Sequence, residues 1–172
     1  MVMADRDCGA CNVCCYALTI DELNKPPGVV CRHWSKEHHC TCYETRPADC
    51  RNFFCGWRVQ PLSEQWRPDR SEIAIYCTDG GYQFELVGGL DRLFWQPFIA
   101  VITDLILRNV PVYLSARAPV GYIPARMHLN EIPELRQAVA ERNISAFTTQ
   151  LSRALQTSID APGKKVEFDK PH

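Results

Sequence analysis

From residue 72 onward the apolar positions follow periods that predict regular elements. Glu72 to Cys77 and Tyr82 to Val87 alternate or run apolar around Asp79-Gly80-Gly81, the pattern of two strands joined as a hairpin. Phe98, Val101, Ile102, Leu105 and Ile106 then recur at helical spacing, with Pro97 acceptable in the first turn. Val110 to Ser115 reads as a strand whose Pro111 suits an edge or a first residue. Asn130, followed by Pro133 and Glu134, opens a second predicted helix through about Arg142. Ser145 caps a third, carrying Phe147, Leu151, Ala154 and Leu155 on one face. From Ala161 the chain reads as a tail with at most one short strand.

The pattern is different before residue 72. Residues 58–71 are polar, proline-bearing and without a period, and are read as a connector. Residues 1–57 hold few aliphatic side chains, too few for a core of their own, and are expected to need a metal to fold. The expected architecture is α+β: a small, loop-rich, metal-organised module over 1–57, packed on a small sheet with about three helices. Residues 72–160 form the α+β portion of the same compact unit, and 161–172 the tail.

Composition narrows the function classes. The chain has 172 residues, 46% hydrophobic, which is enough for one ordinary core. A formal charge of -1 gives no general pull toward nucleic acid or anionic lipid. The most apolar stretch, Pro97 to Leu107, falls short of the ~18 residues that span a bilayer and contains Asp104. Met1 to Asp7 lacks the basic and apolar regions of a secretory signal, so a cytosolic protein is expected.

The unusual feature is cysteine: nine of the ten lie between Cys8 and Cys55. In a reducing compartment such clusters serve as thiolate ligands rather than disulfides. Cys8-Gly9-Ala10-Cys11-Asn12-Val13-Cys14-Cys15 is a C-x-x-C-x-x-C-C run. Each C-x-x-C turn converges two sulfurs on one ion while backbone N–H groups bond them, and adjacent Cys14 and Cys15 fit most easily if they serve two different ions or if one only supports the ligands. Cys31, Cys40, Cys42, Cys50 and Cys55 supply the distant partners. Eight thiolates complete two four-cysteine zinc sites, or one iron-sulfur cluster with the rest divided among other roles. The ferredoxin spacing matches only in its first three cysteines, because Cys15 follows at once.

The cysteine run, Glu22 to Gly28, Cys31-Arg32-His33-Trp34, Cys42-Tyr43, Arg46-Pro47, Cys50-Arg51 and Cys55 together resemble one family. It is the cysteine-cluster family named for its CxxCxxCC motif and described as a zinc- or iron-chelating domain. A similar domain is found in a flagellin lysine methylase. The resemblance runs from Cys8 to about Trp57, about a third of the chain. It implies metal ligation by Cys8, Cys11, Cys14, Cys15, Cys31, Cys42, Cys50 and Cys55, and it implies no reaction. Cys40 and Cys77 fall outside the pattern, as spare thiols or substitute ligands; Cys77, in an apolar strand, is expected in the core.

Other groups near the cysteines read more simply. His33, His38 and His39 are expected to be solvated or to support the ligands, and His128 and His172 carry no signal. Arg32, Arg46, Arg51 and Arg58 offset the charge of clustered thiolates. Trp34, Trp57 and Trp66 are expected to cover the cluster, and Glu22, Glu44 and Asp49 to pair with the arginines. No serine, histidine and acid set stands out for catalysis, and Val87-Gly88-Gly89 is a turn rather than a phosphate loop. The leading expectation is a cytosolic zinc protein whose α+β part offers a surface to a protein partner or ligand. The alternatives are an iron-sulfur or non-haem iron protein assisting a redox or protein-modification reaction, and a metal storage or delivery protein.

Overall fold

The computed structural model describes residues 6–78 and 80–168. Elements before residue 72 are all short: α1 (Val13–Ala17), a 3-10 turn (Asp21–Leu23), β1 (Trp34–Ser35), β2 (His39–Cys40), α2 (Ala48–Asn52), α3 (Gly56–Val59) and α4 (Pro68–Ser71). Strands β1 and β2 pair antiparallel. After them come β3 (Ile73–Thr78), β4 (Gly81–Leu86), α5 (Gln96–Leu107), β5 (Val112–Ala116), β6 (Tyr122–Ile123) and β7 (Met127–His128). The chain ends in α6 (Pro133–Ala140), α7 (Ile144–Asp160) and β8 (Lys164–Lys165). The α+β class is as expected, with three helices of eight residues or more after the sheet begins.

The main sheet has the order β3-β4-β5-β7. β3 and β4 are the predicted hairpin, although its Asp79 lies outside the described residues. β4 and β5 run parallel because α5 carries the chain back across the sheet between them. Alternation along the strands separates two faces. Ile73, Ile75, Phe84, Leu86, Val112 and Leu114 take one side and bury against Phe98, Ile102, Leu135 and Leu151 of the helices. Ala74, Tyr76, Gln83, Glu85, Tyr113 and Ser115 take the other.

Two helix starts are corrected, and of the two readings of Pro111 the strand's start is the one observed. Asn130 does not begin a helix; its amide accepts from Val112 N–H at 2.8 Å and donates to Val110 C=O at 2.9 Å. It clasps the chain on both sides of Pro111, which has no N–H to offer, and the helix starts only at Pro133. β5 is an inner strand, with Pro111 just ahead of it. The cap of α7 is Asn143, which accepts from Ala146 N–H at 3.0 Å, so Ser145 lies inside the first turn. Phe147, Leu151, Ala154 and Leu155 do form its buried face.

Residues 58–71 carry short helical turns and bury Trp66, which meets Trp95 at 4.7 Å in the main core. The cysteine-bearing segment reaches the sheet at the free edge of β3, where Cys55 and Tyr76 form an antiparallel bridge. Gly56 allows this approach, because a Cβ there would collide with the Ile75 side chain. A second attachment joins Gly121 N–H to Pro27 C=O at 2.9 Å and lays the Arg117 guanidinium over the Tyr16 ring at 4.2 Å. Among the described residues no helix is long and apolar enough to cross a membrane.

Candidate metal centre

The two attachments leave a cavity of about 270 Å³ between the N-terminal segment and β3. Seven cysteines line it: Cys8, Cys11, Cys14, Cys15, Cys40, Cys50 and Cys55. Local structure places each of them. A turn closed by Cys11 N–H on Cys8 C=O at 2.9 Å holds the first pair, helped by Gly9 at φ 48°. Helix α1 presents Cys14 and Cys15, β2 carries Cys40, α2 carries Cys50, and Cys55 stands at the head of α3. Cys31, buried, is tied to the run by its N–H on Cys15 C=O at 2.9 Å. Cys42 is half-buried behind Cys40, and neither Cys31 nor Cys42 lines the cavity.

The thiols sort into two neighbourhoods. Cys8 hydrogen-bonds Cys14, and Cys55 interacts electrostatically with Cys8 and Cys11. Cys42 and Cys50 interact with Cys31 and Cys40. Cys15 lies between, hydrogen-bonded to Cys14 and backbone-bonded to Cys31. As free thiols Cys8, Cys11, Cys14, Cys42, Cys50 and Cys55 resist ionisation. Cys8 is pushed up chiefly by its bond to Cys14, and Cys14 by its bond to Cys15. Burial pushes Cys11 and Cys50 up to about 11 and also raises Cys42 and Cys55. Backbone N–H groups offset part of that rise at two sulfurs: those of Val13 and Asp69 at Cys11, and those of Trp57 and Arg58 at Cys55.

The donor set fits a thiolate-bound metal in kind. Trp34 Nε1–H is buried in the cavity wall without an acceptor, as a group facing a sulfur anion would be. Cys40 and Cys42 place their sulfurs 4.0 Å apart, against the ~3.8 Å required by a tetrahedral ion with ~2.3 Å bonds. Among the described residues, however, no three or more His, Cys, Asp or Glu side chains are arranged so that they could hold an ion as they stand. Pairs are in place, and full coordination sets are not.

The accessory groups depart from expectation in several ways. Arg46 and Arg58 line the cavity and favour the Cys8 anion, while Arg32 and Arg51 are exposed. Arg46 also stacks on Tyr43 at 4.0 Å, and Arg58 Nε donates to Arg6 C=O at 2.6 Å. Glu22 and Asp49 make no arginine pair among the described residues. Glu22 instead accepts from Ala48 N–H at 2.6 Å and Asp49 from Asp21 N–H at 2.8 Å, stitching the start of α2 to the 3-10 turn. Trp34 and Trp57 wall the cavity; Trp66 does not, being drawn into the main core. Cys77 is exposed, near the hairpin end of β3. His39 lines the cavity at its exposed side, His38 is exposed, and His33 is half-buried. His172 lies outside the described residues.

Sequence reasoning missed three groups. Arg6 donates to Trp57 C=O at 2.7 Å and lies over the Trp57 ring, fastening the chain before Cys8 to α3. Tyr76 lines the cavity and donates to buried Glu85 at 2.8 Å. Lys25 is buried among backbone carbonyls. None of these carries a spacing signal, since each becomes special only when distant segments meet. Compared with known protein families, curated proteins and solved structures, the chain matches none of them, so its likeness to the cysteine-cluster family rests on the motif residues alone.

Proposed function

We propose that this protein chelates zinc through the clustered cysteines of residues 8–55, in two four-cysteine sites that order the N-terminal segment against the sheet. The observation that carries the reading is the single cavity wall on which seven cysteines meet. It is supported by the orphan Trp34 N–H, the backbone donors aimed at Cys11 and Cys55, and the flanking arginines. Crowded thiols that oppose one another's ionisation gain most from a divalent cation, which converts mutual repulsion into shared coordination. The role of the ion is structural, supplying the folding free energy that this segment lacks in apolar burial. The reading places the protein in a reducing compartment such as the cytoplasm, where thiolates persist.

The test is elemental analysis with a visible spectrum on protein expressed without added metal and purified anaerobically. About two zinc ions per chain and no visible band are expected. Iron with sulfide and a broad band near ~400 nm would replace zinc by an iron-sulfur cluster and move attention to redox chemistry.

A further inference from the structure

The β1–β2 hairpin ends in two cysteines around one exposed residue, Thr41. Its pairing fixes their position. Cys40 lies opposite Trp34, and His39, opposite Ser35, takes φ 54° where the turn closes. The pairing continues past β2, because Thr41 gives both its N–H, at 2.8 Å, and its hydroxyl, at 3.1 Å, to His33 C=O. The chain then turns at once, with Thr45 N–H on Cys42 C=O at 3.0 Å. Cys40 and Cys42 thus stand on either side of a pinned residue, and their sulfurs meet at 4.0 Å as free thiols. Both are half-buried, and His38, His39 and Thr41 beside them are exposed, so the pair sits at the surface.

Two roles suit sulfurs this close. Sharing an ion requires further ligands around the pair, and among the described residues no third is arranged there. A disulfide requires only the two sulfurs. Residues two apart in a chain lie at most ~7 Å from Cα to Cα, close to the ~4.4–6.8 Å that a disulfide spans. Closing the gap to a ~2.05 Å bond therefore takes side-chain rotation and a small contraction of the chain. The pair also touches the rest of the site, since Cys40 lines the cavity and Cys42 is one of the eight motif cysteines.

We propose that Cys40 and Cys42 are a redox pair, which a low-molecular-weight disulfide of the glutathione class closes into a reversible Cys40–Cys42 bond. Cys40, outside the motif, attacks first. Its sulfur bonds to one sulfur of the oxidant, the oxidant's S–S bond breaks, and the released half leaves as a thiol carrying the Cys40 proton. The Cys42 sulfur then attacks Cys40, breaks the mixed disulfide and expels the second half, which takes the Cys42 proton. The protein gives up two electrons and two protons, and the oxidant gains them as two thiols. A consequence for zinc rests on the proposed function: closure withdraws Cys42 and opens the site it serves. Cys42 then brings no proton of its own, and the expelled half takes one from solvent.

The test exposes the protein as purified, its zinc content measured, to rising ratios of oxidised to reduced glutathione without oxygen. Remaining thiols are alkylated, and the tryptic peptide 37–51, which holds Cys40, Cys42 and Cys50, is sequenced by mass spectrometry. The expected first product is a Cys40–Cys42 bond, two hydrogens lighter, with Cys50 alkylated. Reduced glutathione should reopen it, and about one zinc per chain should be lost as it forms. Cys40→Ser is expected to lose this product and to keep its zinc at the same ratios, and Cys42→Ser to stop at glutathione bound to Cys40. A first bond formed elsewhere while Cys40 and Cys42 stay reduced, or zinc released equally from Cys40→Ser, overturns the inference and spares the zinc reading. A chain that closes the bond yet never held zinc overturns the zinc reading and spares the redox pair. Should Cys42→Ser not fold, the wild-type peptide map and Cys40→Ser decide.

Discussion

The segment before residue 72 and the segment after it solve the folding problem with different materials. After residue 72, Ile73, Ile75, Phe84, Leu86, Phe98, Ile102, Leu114 and Leu151 are all 2% exposed or less and share one core. Before it, the buried apolar side chains among the described residues are Cys11, Ile20, Pro27, Cys31, Pro47, Trp57, Trp66 and Pro68, and the two tryptophans belong to that same core. What holds the first segment in place is largely polar: Arg6 on Trp57 C=O, Glu22 and Asp49 on backbone N–H groups, and Lys25 on three carbonyls. Such bonds each contribute about 1 kcal/mol net, whereas loop ordering costs about 1–2 kcal/mol per residue. Hydrogen bonding alone therefore does not stabilise the first segment, and under the proposed function coordination of its thiols supplies the missing contribution.

The largest expected effect separates the two segments outright. Removing metal with a chelator under reducing conditions should collapse amide-exchange protection across residues 8–55 while the protection of β3, β4, β5, α5 and α7 survives. Hydrogen exchange read by mass spectrometry reports both segments at once, and equal loss in both would erase the distinction. Structural zinc sites are worth about 10–16 kcal/mol at neutral pH, so the effect should be complete rather than partial.

An intermediate effect attacks the other segment. Leu151, fully buried on α7, should cost about 2–5 kcal/mol when replaced by alanine. Denaturant titration of Leu151→Ala should show a lower midpoint at an unchanged zinc content. Loss of zinc at native conditions would mean that the two segments fold as one.

The smallest effect concerns the polar sheet face. Glu85 is 6% exposed, and burial raises its carboxyl from 4.5 to about 7 despite the opposing bond from Tyr76. The folded chain thus keeps a proton that the unfolded chain releases between these values. Stability from this group is fully present below about 4.5 and falls as pH rises through about 7, by up to about 3 kcal/mol. Glu85→Gln should flatten that fall, as measured by Tm against pH; an unchanged slope would assign it to other groups.

Much of the fold was legible because periodicity records burial. The β3–β4 hairpin, α5 and the apolar stripe of α7 all followed from spacing. Choices between similar polar residues were not legible: Asn143 rather than Ser145 caps α7, and Asn130 braces β5. The meeting of distant cysteines was legible, since C-x-x-C turns bring thiols together, and seven of them do line one cavity. Their division was not, because Cys55 meets Cys8 and Cys11 across more than forty residues. Cys77 looked like core by its strand neighbours and does share the face of Ile73 and Ile75, yet it lies toward the hairpin end of β3 and is exposed.

The bridge between Cys55 and Tyr76 has a consequence for solubility. β3 is an outer strand of the sheet, and this one contact with the cysteine segment pairs part of its exposed backbone. Uncovered sheet edges recruit other chains, and evolution commonly guards them with charge, proline or a covering segment. Here the guard is the part of the molecule with the least core of its own. If zinc orders that segment as proposed, metal starvation would release the guard and present Ile73–Thr78 to neighbouring molecules, and a shortage of the ion would appear first as self-association.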